Sequence, residues 1–310
     1  MAVWSGLAMN YGHFDPHNPY NPVTVAADLA LLKSLGVTKL RIASPPYDSA
    51  DMANGKTLTQ QALALGFYVI IGTTTGTALV DLAKFIEFET YCTSDLLPWC
   101  QSQTNANLEV HLGNEESLHT AGGGMTRPEV IARLQTLATT AQGIYTYGKI
   151  STTDVSTYIS EWVSAGKGDF DYLSFNCYSV GPVSIRAQAD AIVAGFGANG
   201  YISEWGTPHG YQDYYSEEIW RQITRKQVDA MIASGIADAY YFTYKDGSFG
   251  LITDGWALKT STDNFRPVIS TLFGLREWFT GYPNTSVNRS ASTARANTPE
   301  RSNTPVRTTY

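Results

Sequence analysis

Short apolar segments recur along the chain and alternate with longer segments in which apolar residues follow a helical period. Most of the short segments are rich in β-branched and aromatic residues, which is typical of buried strands. They are VWSGLAMN (3–10), TKLRIAS (38–44), FYVIIGT (67–73), LEVHLGN (108–114), GKISTT (148–153), DYLSFNCY (171–178), GYISEW (200–205) and AYYFTY (239–244). The pattern therefore predicts eight short β-strands.

Four longer segments have the apolar spacing and the end signals of helices. Residues 23–36 place apolar side chains at i, i+3, i+4 and i+7, and residues 127–143 open with a proline in the first turn; both end at glycine. Residues 216–235 begin with a serine cap and an acidic first turn, and residues 264–279 form the last such segment. Strands that alternate with helices predict a parallel sheet, and eight of them predict a closed (β/α)8 barrel.

An open, doubly wound α/β sheet is the alternative architecture. That fold commonly carries G-x-G-x-x-G after its first strand, or a G-x-x-x-x-G-K-[ST] phosphate loop, and neither is present here. We therefore expect an α/β protein with a single (β/α)8 TIM barrel over residues 1–282. Residues 283–310 are rich in Ser, Thr, Asn and Arg and nearly lack bulky apolar residues, so we expect a flexible polar tail or a truncated linker there.

The composition and net charge of the chain narrow the range of functions to consider. The 310 residues are 43% hydrophobic and carry a formal net charge of −7, which argues against a nucleic-acid-binding surface. No apolar segment reaches about 18 residues, so we expect no membrane-spanning helix. The first residues lack the basic start and long apolar core of a signal peptide. The protein is then either cytoplasmic or secreted after removal of a signal, and we expect a monomer.

Cysteine and histidine spacing gives no metal site. Cys92 and Cys100 are close enough in sequence to form a disulfide, and two buried thiols are an equal alternative. No C-x-x-C or histidine-rich pattern occurs, and no H-x-H follows the first strand as in metal-dependent barrel hydrolases. We therefore expect neither a metal nor another cofactor.

Polar residues occupy the carboxyl ends of the predicted strands, where the active site of a (β/α)8 barrel lies. They include Asn10, Arg41, Asn114, Glu115, Asp154, Asn176, Tyr178, Glu204 and Tyr244. Glu115 and Glu204 directly follow the apolar fourth and seventh strands and would face each other across one mouth. A protonated and an ionised carboxyl group on either side of a cleft is what glycoside hydrolysis needs, and their mutual repulsion helps to keep one proton in the site.

Several strand ends resemble those of a known group of enzymes. LGNEE (112–116), ISEWG (202–206), FNCY (175–178) and LRI (40–42) are similar to the motifs of retaining (β/α)8 glycoside hydrolases of the clan A type, whose catalytic glutamates follow strands 4 and 7. LLKSLGVTKLRI, LGNE and SEWGTP are also similar to the β-1,3-glucanase branch of that clan.

The resemblance implies a role for each matching residue. Glu204 corresponds to the nucleophile and Glu115 to the general acid and base, with Glu116 as the substitute if the register is shifted by one. Tyr178 and Arg41 correspond to the tyrosine and arginine that support the nucleophile. Asn114 is expected either to bind the sugar 2-hydroxyl or to cap the following helix.

Aromatic residues near the strand ends are candidates for sugar stacking. Trp205, beside the nucleophile, either stacks on a sugar or belongs to the core. Many members of the clan end strand 8 with a tryptophan under the sugar, whereas this chain reads FTYKDG, so Tyr244, Phe242 or Trp256 would serve. With Asn10 as a further contact, the expected substrate is an oligo- or polysaccharide.

The expected activity is retaining hydrolysis of β-glycosidic bonds. A β-glucan is the first choice of substrate, and mannan or xylan comes next. The alternative from another class is a non-catalytic carbohydrate-binding barrel.

Overall fold

Eight parallel strands form the centre of the fold in the computed structural model, which describes residues 7–12, 21–34, 36–42, 44–76, 80–120, 124–179, 181–206 and 217–242. The strands are β1 (Leu7–Tyr11), β2 (Val37–Ile42), β3 (Tyr68–Thr73), β4 (Leu108–Asn114), β5 (Lys149–Val155), β6 (Tyr172–Cys177), β7 (Gly200–Trp205) and β8 (Ala239–Tyr241). Each strand pairs with the next and β8 pairs with β1, which closes the barrel. The predicted (β/α)8 barrel is confirmed, and each predicted strand overlaps an observed one.

Helices follow the strands and cover the outside of the barrel. They are α1 (Pro22–Ser34), α2 (Asp51–Ala64), α3 (Leu82–Tyr91), α4 (Leu97–Ser102), α5 (Arg127–Ile144), α6 (Ile159–Ala165), α7 (Pro182–Phe196) and α8 (Glu217–Ser234). Three of the four predicted helices correspond to α1, α5 and α8. The fourth, at 264–279, lies outside the described residues, as do the predicted tail at 283–310 and the candidates Tyr244 and Trp256.

Alternation along the strands separates two cores. Outward residues such as Leu7, Met9 and Leu112 pack beneath the helices in one large apolar cluster. Inward residues at the amino-terminal end form a small cluster that contains Ala8, Ile70, Tyr201 and Tyr240. Further along, the interior is filled by polar side chains, all of them buried: Asn10, Arg41, Glu109, His111, Ser151, Thr153, Ser174 and Asn176. A polar barrel interior is stable only if these groups are hydrogen-bonded to one another.

Cys92 and Cys100 are buried free thiols, so the disulfide alternative is wrong. Burial raises the pKa of both thiols. Among the described residues no helix is long and apolar enough to cross a membrane. Over the same residues, no group of three or more His, Cys, Asp and Glu side chains is arranged to hold a metal ion.

Candidate active site

A β-bulge near the end of β4 sets the direction of Asn114. His111 pairs with Ser151 and Asn114 pairs with Thr153, so β4 contains one residue more than β5 over the same stretch. Gly113 lies in this bulge with φ +91°, a left-handed conformation that favours glycine. The extra residue turns Asn114 into the barrel mouth on the same side as His111, and its Oδ1 accepts a hydrogen bond from Arg41.

Glu115 leaves the strand in an unusual backbone conformation. Its φ is +59°, which is uncommon for a residue other than glycine, and its amide donates to the Thr153 carbonyl at 2.9 Å. Its half-buried carboxyl group accepts a hydrogen bond from Asn176 Nδ2 at 2.6 Å. Backbone strain of this kind collects at functional sites because the surrounding structure must enforce it.

Glu116 points away from this mouth. Its Oε1 accepts from Thr74 Oγ1 at 2.7 Å and from the Thr75 amide at 3.0 Å, and its Oε2 accepts from Thr75 Oγ1 at 2.5 Å. The Asn114 amide also donates to Oε1 at 3.2 Å, and the side chain is 1% exposed. Because its carboxylate is saturated by internal donors, Glu116 joins the ends of β3 and β4 and does not substitute for Glu115.

A second bulge places Glu204. On β6 the pairing moves from Phe175 to Asn176, while on β7 it moves from Ile202 to Glu204, so β7 has one extra residue. As a result Ser203 and Glu204 both face the interior: Ser203 Oγ donates to Asn176 Oδ1 at 2.8 Å, and Glu204 meets Arg41.

The same bulge turns Trp205 outward. The indole is fully buried in the outer core and packs edge-on against Tyr241, with ring centroids 5.1 Å apart. The expectation that Trp205 stacks on a sugar is therefore wrong, and the core alternative describes it.

Arg41 is the centre of the hydrogen-bond network. Its Nη1 donates to Glu204 Oε1 at 2.5 Å and to Asn10 Oδ1 at 2.8 Å. Its Nη2 donates to Asn114 Oδ1 at 2.6 Å, and its Nε donates to His111 Nδ1 at 3.3 Å. The planar guanidinium of this buried residue thus fixes the nucleophile candidate and Asn114 relative to each other.

Asn10 is a structural partner of this arginine. Its Nδ2 donates to the Ser203 carbonyl at 2.9 Å and more weakly to the Tyr241 carbonyl at 3.4 Å, and only 1% of the residue is exposed. The prediction that Asn10 contacts substrate is wrong, since both ends of its amide are used inside the barrel. Asn114, in contrast, is half-buried and gives only its Oδ1 to Arg41, which leaves its NH2 group as a donor for a hydroxyl.

Tyr178 completes the surroundings of Glu204. Its hydroxyl donates to Glu204 Oε2, while 40% of the residue is exposed to the mouth. Burial of the hydroxyl and the negative charge of Glu204 raise the pKa of Tyr178, so the phenol stays protonated and acts as a donor. Phe242 stands against it edge-on, with ring centroids 5.8 Å apart, and is partly exposed at the end of β8.

The two carboxyl groups have different electrostatic surroundings. Glu204 receives a cationic donor, Arg41, on one oxygen and a phenol donor, Tyr178, on the other. Burial raises the pKa of Glu115, and the charges of Glu204 and Asp154 add to this, against the opposing hydrogen bond from Asn176 and the charge of Arg41. Of the two carboxyl groups, Glu115 is therefore the one whose surroundings favour the protonated form.

The sequence placed Asn176 at a strand end without a role, and it did not assign Ser203 or His111 to the site. Asn176 contacts Glu115 and Ser203, and His111 contacts Arg41. Asn176 stands two positions before Tyr178, so strand alternation was a signal for it. Ser203 and His111 face the interior by regular alternation, whereas Glu204 and Asn114 join them there only because of the two bulges, which the sequence pattern does not reveal.

Comparison with known proteins supports the barrel. No protein-family model matches the chain, and no curated protein sequence matches it. A family 5 xyloglucanase from Paenibacillus pabuli is similar over 89% of this chain and 98% of its own, with 13% identity and a TM-score of 0.66. A broad-specificity endoglucanase from Bacteroides salanitronis is similar over 89% of this chain and 93% of its own, with 14% identity and a TM-score of 0.64.

An endo-1,4-β-mannanase from Rhizomucor miehei is similar over 89% of this chain and 95% of its own, with 12% identity and a TM-score of 0.60. At these identities the likeness establishes the (β/α)8 fold. By their names all three structures are glycoside hydrolases, so the resemblance seen in the strand ends is matched by a likeness of the whole barrel.

Proposed function

We propose that the protein is a retaining glycoside hydrolase that cleaves β-glycosidic bonds in a polysaccharide. The observation that carries the proposal is the pairing of Glu204, held by Arg41 and Tyr178, with Glu115, whose pKa is raised at the same barrel mouth. An ionised carboxylate and a protonated one at one cleft meet the requirements of double displacement.

The first step forms a glycosyl-enzyme ester. A Glu204 oxygen attacks the anomeric carbon while the Glu115 carboxyl group gives its proton to the glycosidic oxygen, and the bond between the anomeric carbon and that oxygen breaks. Arg41 and Tyr178 hold the attacking carboxylate in place. Asn114 donates to the sugar 2-hydroxyl, an interaction that strengthens in the transition state.

The second step releases the sugar. Glu115, now ionised, takes a proton from water as the water oxygen attacks the anomeric carbon, and Glu204 leaves as a carboxylate. Two inversions give net retention of configuration. Asn176 holds Glu115 through both steps by donating to its Oε1.

A β-glucan is the proposed substrate, with mannan and xylan as the next candidates. The similar solved structures are named as a xyloglucanase, an endoglucanase and a mannanase, which favours a β-linked polysaccharide over other glycosides. A non-catalytic carbohydrate-binding barrel would not need two carboxyl groups with separate donor sets, so the enzyme is the better interpretation.

The test is a hydrolysis screen on laminarin, mixed-linkage glucan, cellulose, mannan and xylan with sizing of the products. We expect cleavage of at least one glucan, and the first-formed anomer seen by proton NMR to have the β configuration. Glu204→Gln and Glu115→Gln should each lower turnover on the cleaved polysaccharide by at least about 100-fold. Glu161→Gln is the matched control, because Glu161 pairs with Arg127 at the protein surface.

Binding to these glycans without hydrolysis would replace the proposal with the carbohydrate-binding alternative. A first product of α configuration would overturn the retaining mechanism.

A further inference from the structure

A series of buried polar side chains runs through the barrel interior from Glu204 toward the amino-terminal ends of the strands. In order, its members are Glu204, Arg41, His111, Tyr201 and Glu109. All five are buried. Burying such groups is costly unless each is hydrogen-bonded, so the direction of every hydrogen bond in the series is constrained.

The arginine decides the tautomer of the histidine. An arginine Nε carries a hydrogen and cannot accept, so His111 Nδ1, at 3.3 Å from Arg41 Nε, must be the acceptor. The ring hydrogen then resides on Nε2, which lies 2.6 Å from the Tyr201 hydroxyl. That hydroxyl donates to Glu109 Oε1 at 2.6 Å, so all donors in this part of the series point away from Arg41.

Glu109 anchors the far end. Its carboxylate also accepts hydrogen bonds from Ser151 and Tyr68. Burial alone would raise the pKa of Glu109, but its polar surroundings, which include His111, Ser151 and Tyr201, outweigh this and hold the pKa below its usual value. An ionised Glu109 favours the tautomer in which His111 donates toward Tyr201.

The charged and titratable groups that face His111 come from three strands, and a fourth strand contributes a hydroxyl. They are Arg41 on β2, Glu109 on β4, and Tyr201 and Glu204 on β7, with the hydroxyl of Thr153 on β5 at 3.0 Å from Nδ1. Burial and the charge of Arg41 lower the pKa of His111, against the hydrogen bond and charge of Glu109 and the charge of Glu204, and the lowered pKa favours the neutral ring. A protonated ring would place an Nδ1 hydrogen against the Arg41 Nε hydrogen.

We propose that His111 is a positioning residue for the nucleophile: its Nδ1 fixes the plane of the Arg41 guanidinium, so that Nη1 meets Glu204 and Nη2 meets Asn114. The kinetic consequence rests on the proposed function. Without the Nδ1 acceptor, Arg41 would retain a buried donor with no partner at Nε, and the plane that orients Glu204 could rotate.

The experiment compares two substitutions of equal shape. His111→Asn keeps an acceptor oxygen close to the position of Nδ1, whereas His111→Leu replaces it by a methyl group. The probe is 2,4-dinitrophenyl β-cellobioside, whose leaving group needs no proton from Glu115, so its kcat/KM reports on attack by the nucleophile. We expect His111→Leu to lower kcat/KM roughly 10- to 100-fold, and His111→Asn to restore most of the activity.

Equal activity of wild type and His111→Leu would overturn the proposal, and so would equal loss in the two variants, because then the acceptor does not matter. Near-UV circular dichroism and melting temperature establish that both variants fold.

A second measurement is independent of catalysis. Nitrogen NMR of the wild-type ring, assigned by its absence in His111→Asn, should show unprotonated Nδ1 and protonated Nε2 at about pH 7 to 8. The Arg41 Nε hydrogen should exchange slowly in wild type and His111→Asn but rapidly in His111→Leu.

A protonated Nδ1, or slow exchange in all three proteins, would overturn the positioning role. A wild type that cleaves neither the probe nor any polysaccharide would overturn the proposed function, and the NMR results would still decide the role of His111.

Discussion

Removal of one hydroxyl group from Tyr178 tests how the nucleophile is held. In Tyr178→Phe, Glu204 Oε2 loses the phenol donor while Arg41 still donates to Oε1 at 2.5 Å. The ring is 40% exposed, so the substitution leaves the core intact. The variant therefore separates the orientation of Glu204 from the stability of the barrel.

The size of the effect follows from the lost hydrogen bond. A hydrogen bond to a charged group contributes about 1.5–3 kcal/mol net, and each 1.4 kcal/mol corresponds to roughly a tenfold change in rate. We expect kcat/KM to fall roughly 10- to 100-fold, less than for Glu204→Gln, because the arginine remains. Initial rates on 2,4-dinitrophenyl β-cellobioside measure this fall in kcat/KM without a contribution from proton donation by Glu115.

Tyr147→Phe is the matched control. Tyr147 is 48% exposed and lies just before β5, at the end of the barrel opposite Tyr178. The control variant should retain wild-type rates. If Tyr178→Phe stays within about twofold of wild type while its melting temperature is unchanged, the phenol does not hold a catalytic carboxylate and the reasoning about this site is refuted.

Three further predictions concern the pKa of Glu115, the backbone conformation at Gly113 and the need for a metal ion. Asn176→Ala removes a donor that favours ionised Glu115, so the pKa of Glu115 should rise. Because Glu115 must be protonated to act as the acid, the alkaline limb of the kcat/KM profile should then move to higher pH. A limb that stays in place or moves to lower pH would contradict the role of Glu115 as the acid. Gly113→Ala should lower the free energy of unfolding by about 2 kcal/mol in urea titrations, because φ is +91° and the new Cβ would lie 2.9 Å from Glu116 Cγ. Its control, Gly143→Ala in helix α5, has no atom within 4 Å of the new Cβ and should stabilise by about 0.5–1 kcal/mol. Activity should be unchanged after dialysis against a chelator, and a loss restored by a divalent cation would revive a metal-dependent mechanism.

The strand ends could be predicted from the sequence because a parallel strand buried on both faces reads as a short apolar run, and its end is marked by the first polar residues. This located Glu115, Tyr178 and Glu204 at one mouth without coordinates. Arg41 was located in the same way, and its contact with Glu204 matches the role implied by the resemblance.

Side-chain direction could not be predicted, because it depends on register. Strict alternation on β7 would put Ser203 and Trp205 on one face and Glu204 on the other. The extra residue opposite Asn176 reverses this for Glu204 and Trp205, so the tryptophan enters the core. One unpaired residue with no compositional signal thus decides which side chain reaches the mouth.

Asn10 was misjudged for a different physical reason. A polar residue at a strand end is equally suited to bind a ligand or to satisfy a neighbouring buried charge. Here the buried guanidinium of Arg41 needed acceptors, and Asn10 supplies one of them. Sequence spacing does not show whether such a residue binds a ligand or a neighbouring buried charge.

The central claim is that Glu204 becomes covalently bonded to the sugar while Glu115 transfers the proton. The most direct measurement is inactivation by 2,4-dinitrophenyl 2-deoxy-2-fluoro-β-cellobioside followed by peptide mass spectrometry. The account predicts one fluoro-sugar ester per chain, located on Glu204 and absent in Glu204→Gln. A label on Glu115 or Glu116, or turnover of the parent glycoside with no ester formed, would contradict it.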